Sequence, residues 1–282
     1  MPITYQKRYL DTQDIRDAWK ILNPLLGSLN KERVYYTICS QPDYANRKEA
    51  VFYLHGLGSD ITACPEIDQV ICAETHLIRV SCFGVSGSMK PILAATFGDV
   101  CAMLYNGRQS IYTIADLLRL DSYSIVAHSW GGFIACLAAL NDPRCRKAML
   151  LVSTPDICDA LSRMYHHMGL PEFGTPVFDI FMGKLRVDAE KAKTGRSWHQ
   201  KAWNAISPYE EIGNPKIKML IFNRNEDVVM RRANVEHFLD HARKRGIYGI
   251  HAEFLTRPDL PDPHDMPPEA FLQRMRTFLF TD

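Results

Sequence analysis

The stretch S-I-V-A-H-S-W-G-G-F-I, residues 124–134, decides how the chain is read. S-I-V-A is a short apolar run of strand type, and F-I-A-C-L-A-A-L (133–140) is apolar and compatible with a helix. Between them stands a serine. A hydroxyl at such a junction is either turn filler or a nucleophile held on a bend. A strand–turn–helix bend that presents a serine strains its backbone, and it needs small residues two positions away on either side so that strand and helix can approach. Ala127 and Gly131 occupy those two positions, and Gly132 adds room.

Working outward, further apolar runs recur at 34–38 (V-Y-Y-T-I), 51–54 (V-F-Y-L), 76–80 (H-L-I-R-V), 148–152 (A-M-L-L-V), 217–222 (I-K-M-L-I-F) and 251–255 (H-A-E-F-L). Helical stretches at 109–120, 130–141, 231–245 and 268–280 alternate with them, the last opened by Pro267 and Pro268, which suit a first helical turn. Ile15, Trp19, Leu22, Leu26 and Leu29 recur at helical spacing and predict an amphipathic helix over about 13–29. Near-continuous apolar strands alternating with helices predict an α/β architecture with a mostly parallel sheet covered on both faces. Working residues are then expected on loops at the carboxyl ends of strands.

Residues 155–210 break that rhythm. They carry Met164, Met168, Phe173, Phe178, Phe181, Met182, Trp198 and Trp203 among scattered charges. We expect a helical cap inserted over a pocket, with 1–154 and 211–282 forming the core.

The chain has 282 residues, 46% of them hydrophobic, enough for one large core. Lys and Arg total 33 against 32 Asp and Glu, a net charge of +1 that draws it toward neither nucleic acid nor an anionic membrane. The N-terminal stretch shows no apolar signal region, and no run reaches the ~18–20 apolar residues of a membrane helix. The eight cysteines (39, 64, 72, 82, 101, 136, 145 and 158) contain no C-x-x-C pair and several lie in apolar runs. Reduced, buried thiols in a cytoplasmic protein are expected, with no metal site and no cofactor.

With A-H-S-W-G-G in this context, the chain resembles the serine-nucleophile branch of the α/β-hydrolase superfamily over roughly residues 34–280. Alanine stands where the usual elbow has its first glycine. The resemblance implies an α/β-hydrolase fold with a helical cap, and an oxyanion loop after an early strand, matched here by H-G-L-G-S-D (55–60). It implies that the backbone N–H groups of Leu57 and Trp130 form the oxyanion hole. His55 reads as a structural hydrogen-bonder, and S-C-F-G-V-S-G-S-M (81–89) as a structural loop bordering the pocket.

A serine hydroxyl needs a base to attack, and the family order is serine, acid, histidine. The loop N-R-N-E-D-V-V-M (223–230) offers Asp227 as the acid, with Glu226 as an adjacent competitor. A second position used by some relatives corresponds to Asp156 in L-V-S-T-P-D (151–156). His264 is the only histidine between the last strand and the last helix, and is expected as the base. His128 neighbours Ser129 but points to the opposite face of its strand. His237 and His241, four apart on a helix, lack the glutamate of a zinc-binding H-E-x-x-H and read as a solvated face.

The resemblance implies attack on a carbonyl carbon through an acyl-enzyme, on an ester, thioester or lactone. Alternatives on the same fold are a carbon–carbon bond hydrolase, a cofactor-independent dioxygenase, and a ligand receptor without turnover. The expected partner is a small molecule with an apolar acyl or aryl part. Nucleic acid and membrane insertion are not expected, and the chain is expected as a monomer or homodimer.

Overall fold

The computed structural model of the chain describes residues 2–20, 24–41, 47–87, 95, 97–157, 160, 206–209, 212–262 and 264–281. Among them run eight strands: β1 (Thr4–Asp11), β2 (Arg33–Ser40), β3 (Glu49–Leu54), β4 (His76–Val80), β5 (Ser122–His128), β6 (Cys145–Leu151), β7 (Lys218–Arg224) and β8 (Ile250–Leu255). They form one sheet in the order β1-β2-β4-β3-β5-β6-β7-β8. β1 pairs antiparallel with β2, and β2 with β4. Every pairing from β4 through β8 is parallel.

Strands β3 to β7 read as largely apolar runs because both of their faces are covered, while β8 at the far edge is only partly buried. Side chains alternate across a strand, and the buried residues divide accordingly. Phe52, Leu54, Ile125, Ala127, Ala148, Leu150, Met219 and Ile221 belong to one core. It also holds residues of α2 (Phe97–Leu117), α3 (Trp130–Asn141) and α4 (Arg232–Lys244). Val51, Tyr53, Val126, Met149, Leu151, Leu220 and Phe222 belong to the other. There they meet α1 (Glu66–Cys72) and α5 (Pro268–Phe280). Helix α3 is buried from Trp130 to Leu140, as a helix that is apolar all round must be. Pro268 opens α5 at a position where its missing N–H has no cost.

The expected helix over 13–29 does not form. Its described residues instead make two 3-10 segments, Thr12–Asp14 and Pro24–Lys31. A proline has no N–H and its ring would clash with the carbonyl one turn back, so Pro24 disfavours a helix running through that position. The apolar residues still pack: Ile15 is buried and Trp19 stacks on Tyr105 at 4.4 Å between ring centroids.

Strand β1 was not foreseen, because T-Y-Q-K-R-Y-L-D is an outermost strand, exposed along most of its length, with no apolar run to signal it. Helix α2 begins at Phe97 rather than 109, its first half disguised by glycines and polar residues in F-G-D-V-C-A-M-L-Y-N-G-R. The expected cap of 155–210 lies outside the described residues, except for 155–157, 160 and 206–209.

Among the described residues no helix is long and apolar enough to cross a membrane. The seven described cysteines are free thiols, and Cys158 lies outside the described residues.

Candidate active site

Ser129 links the end of β5 to the first turn of α3. Its backbone has φ 48° and ψ −113°, a left-handed conformation that a side chain of this kind adopts only when its surroundings force it. They do so on three sides. The Ser129 N–H donates to the Leu151 carbonyl at 2.9 Å, and the Gly132 N–H donates back to the Ser129 carbonyl at 2.9 Å. The Gly131 N–H donates to the His55 carbonyl at 3.1 Å. A Cβ on Gly131 would lie 2.6 Å from the Leu54 carbonyl oxygen, so only glycine lets the helix start this close to β3. A Cβ on Gly132 would lie 2.1 Å from Ser153 Oγ.

The serine side chain makes no cap bond to its own helix. Its Oγ is 2.9 Å from His264 Nε2. His264 Nδ1 is in turn 2.9 Å from Asp227 Oδ2. The other Asp227 oxygen, Oδ1, accepts the N–H groups of Val229 at 2.9 Å and Met230 at 2.8 Å. That leaves Oδ2 for the imidazole, so Nδ1 carries the proton and the Nε2 lone pair faces the hydroxyl. The Asp227 side chain is wholly buried and His264 is about a quarter exposed, which keeps water off the acid while leaving the base edge open.

The two competing acids lie elsewhere. Glu226 Oε1 accepts the Arg257 N–H at 3.2 Å, and its Oε2 is 3.4 Å from Arg224 Nε. Neither contact involves His264. Asp156 follows β6, where its N–H donates to Thr154 Oγ1. The imidazole's acid partner is therefore Asp227.

The expected oxyanion loop follows β3. The Ser59 N–H closes a turn onto the Gly56 carbonyl, and Gly58 takes φ 73°. A Cβ on Gly56 would stand 3.4 Å from Ser129 Cβ, so this backbone passes directly beside the serine. Leu57 comes next in that loop. Trp130 is the first residue of α3, where a backbone N–H has no carbonyl one turn behind it. The loop is anchored from behind by buried Arg79, whose guanidinium bonds Asp68 and the carbonyls of Ile61, Ala63 and Cys64. On its outer side, Gly87 N–H donates to the Ser59 carbonyl, which places the 81–87 stretch beside it.

His55 is buried and its Nε2 accepts the Cys82 N–H at 2.9 Å. Its proton is therefore on Nδ1, directed at the Gly56 carbonyl 2.7 Å away. Burial lowers its pKa and keeps it neutral. His128 is pushed down to about 4, first by burial and then by the charge His264 can carry; their ring centroids are 6.3 Å apart. Neither is arranged to take the Ser129 proton. His241 Nε2 is bonded to the Tyr209 carbonyl at 2.9 Å. Among the described residues, no three His, Cys, Asp or Glu side chains gather as a metal site needs.

Two supporting residues escaped the sequence reading. Asn223, wholly buried near the end of β7, accepts the Ser153 N–H on Oδ1 at 2.9 Å. Its Nδ2 donates to the Ser153 carbonyl at 2.8 Å and toward the Met230 carbonyl at 3.4 Å. Ser153 Oγ donates to the Ser129 carbonyl at 3.3 Å. A chain of neutral groups thus joins the serine's bend to the loop of Asp227. Val152 beside it is held at φ 42°, a strained value for a β-branched residue. The only trace in the sequence is a polar residue where an apolar strand run ends.

A family model described as the alpha/beta hydrolase fold matches residues 49–202, more than half of the chain. The chain belongs to this family. No curated protein matches it. Among solved structures it is similar to an esterase of Pyrococcus furiosus, with TM-score 0.60 and 14% identity over 98% of this chain and 90% of that one. It is similar also to acetyl xylan esterase 1 from Thermoanaerobacterium sp. JW/SL YS485, with TM-score 0.57 and 14% identity over 87% and 78%. Est816, described as an N-acyl homoserine lactone degrading enzyme, gives TM-score 0.51 and 16% identity over 88% and 97%. At these identities the likeness is one of fold.

Proposed function

We propose that the protein is a serine hydrolase that cleaves esters, thioesters or lactones through an acyl-enzyme. The observation that carries this reading is the unbroken relay Asp227 Oδ2 to His264 Nδ1, and His264 Nε2 to Ser129 Oγ, each at 2.9 Å. A binder has no use for a base held in register with a strained hydroxyl.

In the proposed reaction Ser129 Oγ attacks the carbonyl carbon while its proton passes to His264 Nε2. Asp227 stabilises the imidazolium and keeps Nδ1–H toward itself. Charge collects on the carbonyl oxygen, which the N–H groups of Leu57 and Trp130 receive; one such donor is typically worth about 3–4 kcal/mol. Collapse breaks the bond to the leaving group, which takes the proton from His264 and departs. Water then attacks the acyl-serine, giving a proton to His264, which passes it to Ser129 Oγ as the acyl–oxygen bond breaks and the acid leaves. A serine attacking carbonyl carbon needs no metal or organic cofactor for this sequence. The solved structures of similar fold include an esterase, an acetyl xylan esterase and an enzyme described as degrading N-acyl homoserine lactone, which agrees with the proposal.

The test is labelling with a fluorophosphonate probe and locating the adduct by mass spectrometry. The expected result is an adduct on Ser129 that disappears in Ser129→Ala and needs His264. Folded protein that takes no label on Ser129 would overturn the proposal. Panels of esters, thioesters and lactones then rank the substrate classes.

A further inference from the structure

Arg224 is the last residue of β7 and only 1% exposed, although it always carries its charge. The acyl-transfer chemistry proposed above has no step for a cation at that place. Its guanidinium is spent instead on the backbone of the loop that bears His264. Nη1 donates to the Asp262 carbonyl at 2.5 Å and reaches the Asp265 carbonyl at 3.4 Å. Nη2 donates to the Arg257 carbonyl. These carbonyls bracket His264 on both sides. Nε stands 3.4 Å from Glu226 Oε2, an ion contact. Glu226 Oε1 accepts the Arg257 N–H at 3.2 Å, so the same carboxylate touches both the arginine and the loop.

The sequence explains why the loop needs such a grip. Between Thr256 and Pro267 it contains Pro258, Pro261, Pro263 and Pro267. Proline offers no N–H, so few donors are left for the loop to bond itself. Its described internal backbone bonds are Leu260 N–H to Arg257 and Asp265 N–H to Asp262. Asp262 adds one side-chain bond, accepting the His264 N–H at 2.8 Å. A planar fork with five donors in fixed directions reaches carbonyls at separate places in the loop, whereas a lysine ammonium gathers its three donors on one nitrogen.

We propose that Arg224, with Glu226 against it, is a positioning residue: it grips the carbonyls flanking His264 and so holds the imidazole between Asp227 and Ser129. The proposal rests on the reading of His264 as the base. It also gives Glu226, the rejected competitor for the acid, a task of its own.

The test compares wild type, Arg224→Lys and the milder Glu226→Gln in three measurements on the full chain. The first is the rate of fluorophosphonate labelling at Ser129, with kcat and KM on an activated ester. The second is amide hydrogen exchange over residues 257–265. The third repeats the ester assay on the residual hydrolysis of a His264→Ala background. Displacement of a reacting group by about 1 Å can lower rates about 100-fold. Arg224→Lys should therefore slow labelling and kcat by roughly 10- to 100-fold with KM little changed. Glu226→Gln should act in the same direction and less. Exchange over 257–265 should quicken in both. In His264→Ala protein, Arg224→Lys should remove nothing further, because a residue acting through the imidazole has nothing left to act on. A folded Arg224→Lys or Glu226→Gln protein that labels at the wild-type rate overturns the proposal, as does an added loss in the His264→Ala background. Wild-type protein without label overturns the hydrolase reading instead. The exchange measurement still decides the clamp, and unchanged exchange over 257–265 overturns it.

Discussion

Ser129 and His264 meet at 2.9 Å, yet the backbones that present them are restrained by opposite means. The serine's bend is held by contact. Glycines at 131 and 132 let α3 press against the β3 carbonyls and against Ser153, and the resulting left-handed backbone has no other place to go. The histidine's loop is rich in proline, forms no strand or helix among its described residues, and is held by side chains that reach in from elsewhere, Arg224 and Glu226 above all. Asp227 stands between the two regimes, on a short turn whose own N–H groups fix one of its oxygens. The difference teaches where each half of the site should fail. The bend should fail by steric insertion, and the loop by loss of donors.

The largest expected effect comes from removing the proposed reacting groups themselves. Ser129→Ala or His264→Ala should lower hydrolysis of an activated ester by about 10⁶-fold. Asp227→Asn should lower it by roughly 10⁴-fold, because the amide presents the wrong partner to Nδ1–H. Asp156→Asn should change it little, and a severe loss there with a mild one in Asp227→Asn would reverse the assignment of the acid. These are rate measurements on folded protein, checked by circular dichroism.

The steric half of the comparison is sharpened by two glycines. Gly131→Ala meets backbone oxygens at 2.6 and 2.8 Å, which cannot retreat. We expect a stability loss of about 1–3 kcal/mol together with loss of labelling at Ser129. Gly132→Ala meets a side chain, Ser153, and adding Ser153→Gly should return most of the lost stability. Failure of that rescue in urea titration would show that the bend is not limited by this contact.

Asn223→Ala tests the polar link between the two regimes. It leaves the Ser153 N–H and carbonyl buried without their partner, at a cost of about 1–3 kcal/mol. A urea midpoint equal to wild type would break the proposed link.

The last test concerns pH. His128 is held near 4 against an ordinary value of 6.5, so between those values the unfolded chain binds more protons than the folded one. Stability is therefore full above about 6.5 and falls as pH drops toward 4, with buried His55 adding in the same direction. His128→Asn should flatten that slope, and urea midpoints across this range in both proteins decide it.

Much of the fold was legible because the five strands β3 to β7 are covered on both faces and so carry largely apolar runs. β1 was not, since an exposed outer strand needs no such run. The helix expected over 13–29 shows the converse: helical spacing was present, but Pro24 vetoed the backbone that spacing implied. In the site, the bend around Ser129 was legible because its requirements are local. Asp227 and His264 could be placed by order and loop position along the chain, with Glu226 beside Asp227 as a competitor for the acid. The two carboxylates are adjacent in one turn, and only the direction of each side chain separates them.

By itself, then, the sequence determined the covered parallel sheet, the glycine-relieved bend at Ser129, and the loops from which an acid and a base could come. These follow from short-range rules of side-chain alternation, steric room and proline geometry. The tertiary structure alone decided which carboxylate meets the imidazole, and that Asn223 and Arg224 at the end of one strand tie the neighbouring loops together. Those contacts join residues 37, 70 and 38 positions apart. Such pairings arise from how strands stack side by side, and no local pattern in the chain encodes them.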